Sequence, residues 1–159
     1  MKTSEKRRLT WYSTIIGHTV ILEHLDRAQR AHRVHHAYLF VGPKAVGKRT
    51  VAEQLVQSLF CSDGDRERSC SECRLLSSGN HPDFVTVQRD APSIGIEEIR
   101  TVIERLRRTP ARTSWSVAMI PDAERMSESA MNALLKTLEE PSQRTVLLLT
   151  SSHPDQLLP

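Results

Sequence analysis

The chain has 159 residues, with 22 Lys and Arg against 19 Asp and Glu, a formal charge of +3, 38% hydrophobic and 26% charged residues. This is long enough for one domain with its own core, too apolar for a disordered chain, and unlike collagen or a coiled coil in composition. The basic excess is too small to argue for nucleic acid by itself. No stretch approaches the ~18 apolar residues a bilayer span needs, the strongest being Val146 to Leu149.

In chain order, the basic start Met1 to Arg8 precedes Leu9 to Leu22, which superficially resembles a signal peptide. Trp11, Tyr12, Ser13, Thr14 and His18 interrupt it and no small-residue cleavage site follows, so secretion is not expected. Ile21, Leu22, Leu25 and Ala28, with charges between them, predict a helix over 20–33. His36 to Gly42 (HAYLFVG) is short, aromatic and β-branched and ends in Gly-Pro, the pattern of a buried strand. Val51, Ala52, Leu55, Val56 and Leu59 predict a helix over 48–60, so the unit reads strand, glycine loop, helix. Ser62 to Ser69 is polar and aperiodic, a loop holding the cysteines. Further strands are expected at 84–87, at 116–120 closed by Pro121, and at 145–150 (TVLLLT). Between them, Ile96, Ile99, Val102, Ile103 and Leu106 predict one amphipathic helix. Ser127 is positioned to cap another, with Met131, Leu134, Leu135 and Leu138 on one face and Pro141 as its stop. Apolar strands alternating with helices predict an α/β fold with a parallel sheet covered on both faces.

Residues 42 to 48 (GPKAVGK) match G-x-x-x-x-G-K between a predicted strand and a predicted helix, the setting in which backbone N–H groups and a helix N-terminus surround a phosphate. The candidate phosphate-binding residues are Gly42, Pro43, Ala45, Val46, Gly47, Lys48, Arg49 and Thr50. Lys48 would neutralise phosphate charge; the alternative is an ordinary strand-to-helix turn with two glycines. A Mg²⁺-binding hydroxyl belongs at the next position, which is Arg49. Thr50 cannot simply replace it, because one residue rotates the side chain by about 100° around a helix. A guanidinium cannot ligate the ion, and at about 4 Å and an effective dielectric of about 20 repels each unit of charge by about 4 kcal/mol. The strand 116–120 should end on an acidic residue that reaches the metal. It ends instead on Pro121, with Asp122 next, placed either to orient a water or to begin a loop. Two defects at one metal site predict phosphate binding without Mg²⁺-dependent hydrolysis, and no catalytic residue is assigned.

Three cysteines, Cys61, Cys70 and Cys73, lie within 13 residues, a poor disulfide framework and a better intracellular metal or thiol cluster, which gives a cytoplasmic expectation. The basic positions Arg27, Arg30 and Arg33, and Arg100, Arg107, Arg108 and Arg112, read first as solvated faces with acidic partners and second as phosphate contacts to DNA. Few aromatic residues, 4% of the chain, leave base stacking without support.

With these elements placed, HHAYLFVGPKAVGK (35–48), SCSECRLLSSGNHPDF (69–84), PDAERM (121–126), NALLKTLEEP (132–141) and TSSHPDQLLP (150–159) carry a family resemblance. From Gly17 to Pro159 the chain resembles the N-terminal AAA+ domain of the delta-prime family of bacterial DNA polymerase III clamp-loader subunits. NALLKTLEEP is the most specific segment. An amphipathic helix ending at proline accounts for its Leu134, Leu135 and Leu138 but not for Lys136, Glu139 or Glu140.

The resemblance implies an AAA+ P-loop domain over 1–159, with a five-stranded parallel sheet flanked by helices and a small cysteine-bearing insertion at about 61–83. It implies a place in a pentameric ring with gamma or tau and delta subunits, which opens a sliding clamp and loads it on primed DNA. In that family gamma and tau hydrolyse ATP, whereas delta-prime is commonly a rigid, non-hydrolysing member. Arg49 and Pro121 agree with the latter; a gamma- or tau-like ATPase is the alternative. The lid, the collar and the arginine motif that reaches a neighbour's ATP would follow residue 159, so no residue here takes that role. The isolated domain is expected to be a monomer. By the same resemblance Thr150 or Ser151 stands at a sensor position near the γ-phosphate, the other reading being a capped strand end. Cys61, Cys70 and Cys73 fit three corners of the family's structural zinc module. The fourth corner is Leu76, leaving closure by His81 or free thiols as the two outcomes.

Overall fold

A computed structural model describes residues 15–61, 69–87 and 92–157. The expectations placed on Met1 to Thr14 and on most of the 62–69 loop lie outside the described residues. The elements in chain order are α1 (Thr19–Arg30), β1 (Ala37–Val41), α2 (Lys48–Phe60), α3 (Ser71–Ser77), β2 (Phe84–Thr86), α4 (Ile96–Arg107), β3 (Ser116–Ile120), α5 (Glu128–Glu139) and β4 (Thr145–Ser151).

The strands form one parallel sheet in the order β1-β4-β3-β2, with Ala37 opposite Leu147, Ala118 opposite Leu147 across the other edge of β4, and Phe84 opposite Val117. Every residue of β3 is buried, and all but Leu149 of β4. Alternate residues serve opposite faces, as the pleat requires. Val117, Met119, Val146 and Leu148 pack with Leu22 and Leu25 of α1 and Val51, Leu55 and Val56 of α2. Ala118, Ile120 and Leu147 pack with Ile99, Val102 and Leu106 of α4 and Ala130 and Leu134 of α5. Two apolar layers thus enclose the central strands, and each fully buried Leu or Ile adds roughly 2 kcal/mol to the hydrophobic driving force. No helix among the described residues is long and apolar enough to cross a membrane.

Three expectations need correction. The described residues contain four strands, not five, and β1 is therefore an edge. With no neighbour on that side among the described residues, β1 is not the buried strand its composition suggests: only Phe40 is buried, while Leu39 and Val41 are about half exposed, at 46% and 51%. On α5, Leu135 leaves the apolar face and stands 41% exposed, whereas Leu134 is buried. The helix itself begins as read, with the Ser127 hydroxyl accepting the Ala130 N–H at 3.2 Å.

Candidate functional site

At the C-terminal ends of β1, β3 and β4, the parallel strands, the glycine loop and the start of α2 enclose a cleft of about 470 Å³. Its walls include Ala45, Gly47, Lys48, Arg49, Thr50, Pro121, Asp122 and Thr150, so loop, strand end and sensor position do converge. Lys44 and Ser152, which the sequence motif does not single out, line it too. Gly42, Pro43 and Val46 face a neighbouring apolar groove of about 700 Å³ between β1 and α1, together with Val20, Ile21 and Leu39.

The loop's shape follows from its backbone. Gly47 sits at φ +98° and caps α2, a left-handed conformation that glycine adopts without a Cβ penalty, and Ala45 takes the same region at φ +62°. His18 Nε2 lies 2.8 Å from the Val46 carbonyl and ties the loop to the start of α1. Lys48 Nζ donates to the carbonyls of Gly42 (2.6 Å) and Pro43 (2.8 Å) and to the Ser152 hydroxyl (3.0 Å). An ammonium has three donors, and here all three have acceptors within the protein.

At the two positions where a metal-binding oxygen was expected stand Arg49 and Pro121. Arg49 lies along α2 with Nε 2.5 Å from Glu53 Oε1, so its charge is partly offset and the repulsion expected of a bare guanidinium is reduced. Pro121 is buried at the end of β3. Asp122 takes φ +50°, and its N–H donates to the Thr150 hydroxyl at 3.1 Å, joining the ends of β3 and β4. Thr150 thus lines the cleft while capping a strand end. Ser151 is wholly buried, and its hydroxyl accepts the His153 N–H at 3.0 Å, so it is Thr150 of the pair that lines the cleft. Glu124 accepts the Ser152 N–H at 3.1 Å and so sits behind the Lys48 contact. Burial raises its carboxyl pKa, but backbone N–H groups outweigh burial and hold it below the usual range. Only a general signal, an acid just past an apolar strand, could have drawn attention to it.

The cysteines form a second centre. Sγ atoms of Cys61, Cys70 and Cys73 lie within 4.8 Å of one another, Cys70 to Cys61 at 3.4 Å, and none is in a disulfide. Zinc–sulfur bonds of about 2.3 Å in a tetrahedron place sulfurs about 3.8 Å apart, so the three thiols fit a shared thiophilic ion. The turn is pre-shaped: the Cys73 N–H donates to Cys70 Sγ at 3.3 Å as α3 begins. α3 itself, inside the expected loop-like insertion, was not anticipated.

His81 does not join this cluster. Its buried ring stacks on Phe60 with centroids 4.3 Å apart, Nε2 is 2.9 Å from Glu72 Oε2, and Nδ1 accepts the Asp83 N–H at 3.1 Å. Glu72 also takes a two-point contact from Arg112, at 2.8 and 3.0 Å, which lowers its pKa to about 2 against the cost of burial. Asp83 is buried, and its carboxylate accepts the N–H groups of Ala111, Arg112 and Thr113 at 2.6, 2.9 and 2.8 Å. Burial pushes its pKa up, and these three donors more than reverse the shift. The segment His-Pro-Asp was visible in sequence, but nothing there indicated that its acid organises a loop 28 residues away. Of the basic faces, Arg30 pairs with Asp26 and Arg100 with Glu97, both as surface ion pairs.

Comparison with known proteins places this geometry in context. The family model described as DNA polymerase III, delta subunit, matches residues 17–159. The chain is 40% identical over 128 residues to DNA polymerase III subunit delta' of Bacillus subtilis (strain 168), covering 79% of this chain and 39% of that protein. It is 39% identical over 138 residues to subunit delta' of Pseudomonas aeruginosa, covering 84% and 41%. Subunit tau of Escherichia coli (strain K12) is 31% identical over 157 residues, covering 97% of this chain and 24% of tau. The chain thus spans about two fifths of the length of the delta' relatives. A solved structure of a gamma subunit-related protein from Thermotoga maritima shares the fold, with a TM-score of 0.64, 23% identity, and coverage of 85% of this chain and 41% of that one.

Proposed function

The chain belongs to the DNA polymerase III delta subunit family, and from that premise we propose that it acts in DNA replication as a delta-prime-like clamp-loader subunit that does not hydrolyse ATP. In this reading it joins gamma or tau and delta subunits in a pentameric ring that loads a sliding clamp on primer-template DNA. Its P-loop is scaffold.

One observation carries the reading: Lys48, the residue meant for phosphate, is fully engaged by Gly42, Pro43 and Ser152 beside a site whose two metal-facing positions are Arg49 and Pro121. To reach a phosphate the ammonium must give up at least one of these bonds, and no side-chain oxygen at 49 or 121 brings Mg²⁺ to offset that loss. Phosphate held by Lys48 and the N–H groups at the start of α2 would be held without the metal. Exposed Lys136 and Glu139 on α5, and Glu140 just past its end, have no role in the core, consistent with a surface reserved for neighbouring subunits.

The test is nucleotide binding to the protein with and without Mg²⁺, alongside turnover. We expect affinity to be insensitive to Mg²⁺ and no hydrolysis above background. Mg²⁺-dependent turnover abolished by Lys48→Ala would reject the proposal in favour of a gamma- or tau-like ATPase. That alternative draws on Asp122, the one carboxylate among the described residues that line the cleft. In the same reading the three cysteines hold a structural zinc, whose chemistry is to cross-link the end of α2 to α3.

A further inference from the structure

The thiol cluster brings three sulfurs together, and among the described residues no fourth side chain joins them. Leu76, one helical turn beyond Cys73, is half-buried and packs against the core layer of α1 and α2. His81 has both ring nitrogens engaged, by Glu72 and by the Asp83 N–H, and is clamped against Phe60. Glu72, which lies between two of the cysteines in sequence, is held by Arg112 and His81. Among the described residues, the group that can converge on one ion is Cys61, Cys70 and Cys73 without a fourth side chain.

We propose that these three residues form an open three-thiolate site, in which a thiophilic ion keeps one coordination position for an exogenous donor, a water molecule or a small thiol. The inference rests on the reading that the cluster holds a metal, and it departs from a closed structural zinc site. Zinc ordinarily completes a tetrahedron; three protein ligands plus an exchangeable fourth is the pattern of sites that remain chemically accessible. Soft sulfur donors also suit ions satisfied by three thiolates, such as Cu(I). Cys70 is partly exposed while Cys61 and Cys73 are buried, so the cluster has one side open to solvent and two sulfurs fixed in the fold. An incoming thiol can therefore bind the ion before any protein ligand leaves, which makes the ion exchangeable where a closed four-cysteine site would retain it.

The experiment loads the protein with Zn²⁺ alone and counts the sulfur neighbours by X-ray absorption, before and after adding a small thiol such as 2-mercaptoethanol. Three sulfurs and one lighter donor are expected, changing to four sulfurs with the thiol while the ion stays bound. Leu76→Cys should show four sulfurs without added thiol and release zinc more slowly to a chromophoric chelator; if that variant misfolds, the thiol experiment on the unaltered chain still decides. A full set of four protein donors in the unaltered chain, or a sulfur count that the thiol leaves unchanged, overturns the open site alone. Zinc uptake no greater than that of Cys70→Ser overturns both the open site and the metal reading on which it rests.

Discussion

The phosphate loop and the thiol cluster each lack one group of a complete binding set, a hydroxyl where Arg49 stands in one and a fourth ligand where Leu76 stands in the other, yet the consequences are opposite. Around Arg49 the loop keeps its shape although the position offers no oxygen to a metal ion. Gly47 takes a left-handed φ, a cleft of about 470 Å³ remains beside it, and Lys48 bonds to the protein itself. Around Leu76 the fourth ligand is withdrawn while the remaining three stay within 4.8 Å of one another. A cleft made from backbone survives loss of a side chain's function, because its geometry belongs to the strand–loop–helix junction. A side-chain cluster survives only if something else fixes the segment, and here that is the Glu72–Arg112–His81–Asp83 network.

The largest effect should come from breaking that network at Asp83. Asp83→Ala leaves the three N–H groups of residues 111–113 without their acceptor. Water reaches part of this exposed loop, so the loss should be about 3 kcal/mol rather than the full sum of three bonds. Urea denaturation checks it, with Asp83→Asn, which keeps one acceptor oxygen, falling between the two. A change below 1 kcal/mol would mean that the cysteines are held by the core alone and that the contrast between the two regions is false.

The phosphate region is tested by restoring what it lacks. Arg49→Thr together with Pro121→Asp supplies a hydroxyl and a carboxylate at the two metal-facing positions. We expect Mg²⁺ to raise nucleotide affinity by about tenfold in this double variant, equivalent to about 1.4 kcal/mol, with little response in either single variant. Isothermal titration with and without Mg²⁺ reads this directly. If the single Arg49→Thr variant already responds fully, Pro121 is not part of the defect.

Much of this architecture was legible in the sequence because it is written in local periodicity. α2 and β3 occupy the ranges that apolar spacing predicts, and Ser127 caps α5 where its hydroxyl precedes the apolar stripe. The glycine loop was legible because the φ values it needs restrict which residues fit. What stayed hidden depends on partners distant in sequence. The exposure of Leu39 and Val41 depends on which strand lies beside β1, and no residue within β1 encodes that. Commitment of His81 to Glu72, and of Asp83 to a loop after α4, likewise required the fold to bring them together. Composition gave His81 the capacity to bind metal; packing decided otherwise.

A smaller effect concerns acid. The folded-state pKa of Glu72 is lowered from 4.5 to about 2, first by the Arg112 contact. A lowered carboxyl pKa stabilises the fold above the unfolded value, and that contribution fades as pH falls from about 4.5 through about 2. Arg112 is 43% exposed, so solvent screening limits the pair to about 1 kcal/mol. Glu72→Gln should therefore lower stability by about that amount at neutral pH, and the difference from the unaltered chain should shrink toward zero in strong acid. Denaturation curves at a series of pH values would show the two converging; a gap that persists well below the folded-state pKa of about 2 would trace the effect to packing instead of charge.

The smallest expected change isolates what Arg49 does not do. Its contact with Glu53 joins two side chains 40% and 45% exposed on one face of α2, an i,i+4 pair on a helix already anchored by Val51, Leu55 and Val56. Such pairs contribute about 0.3–0.5 kcal/mol and weaken with salt. Arg49→Ala should accordingly move stability by no more than about 0.5 kcal/mol, and the difference should vanish in high salt, where the Asp83 effect persists because its donors are backbone and its carboxylate is buried. A larger loss at Arg49 would make that arginine a structural member of the loop in its own right. Its presence would then be explained by folding, leaving Pro121 as the remaining mark of a missing metal site.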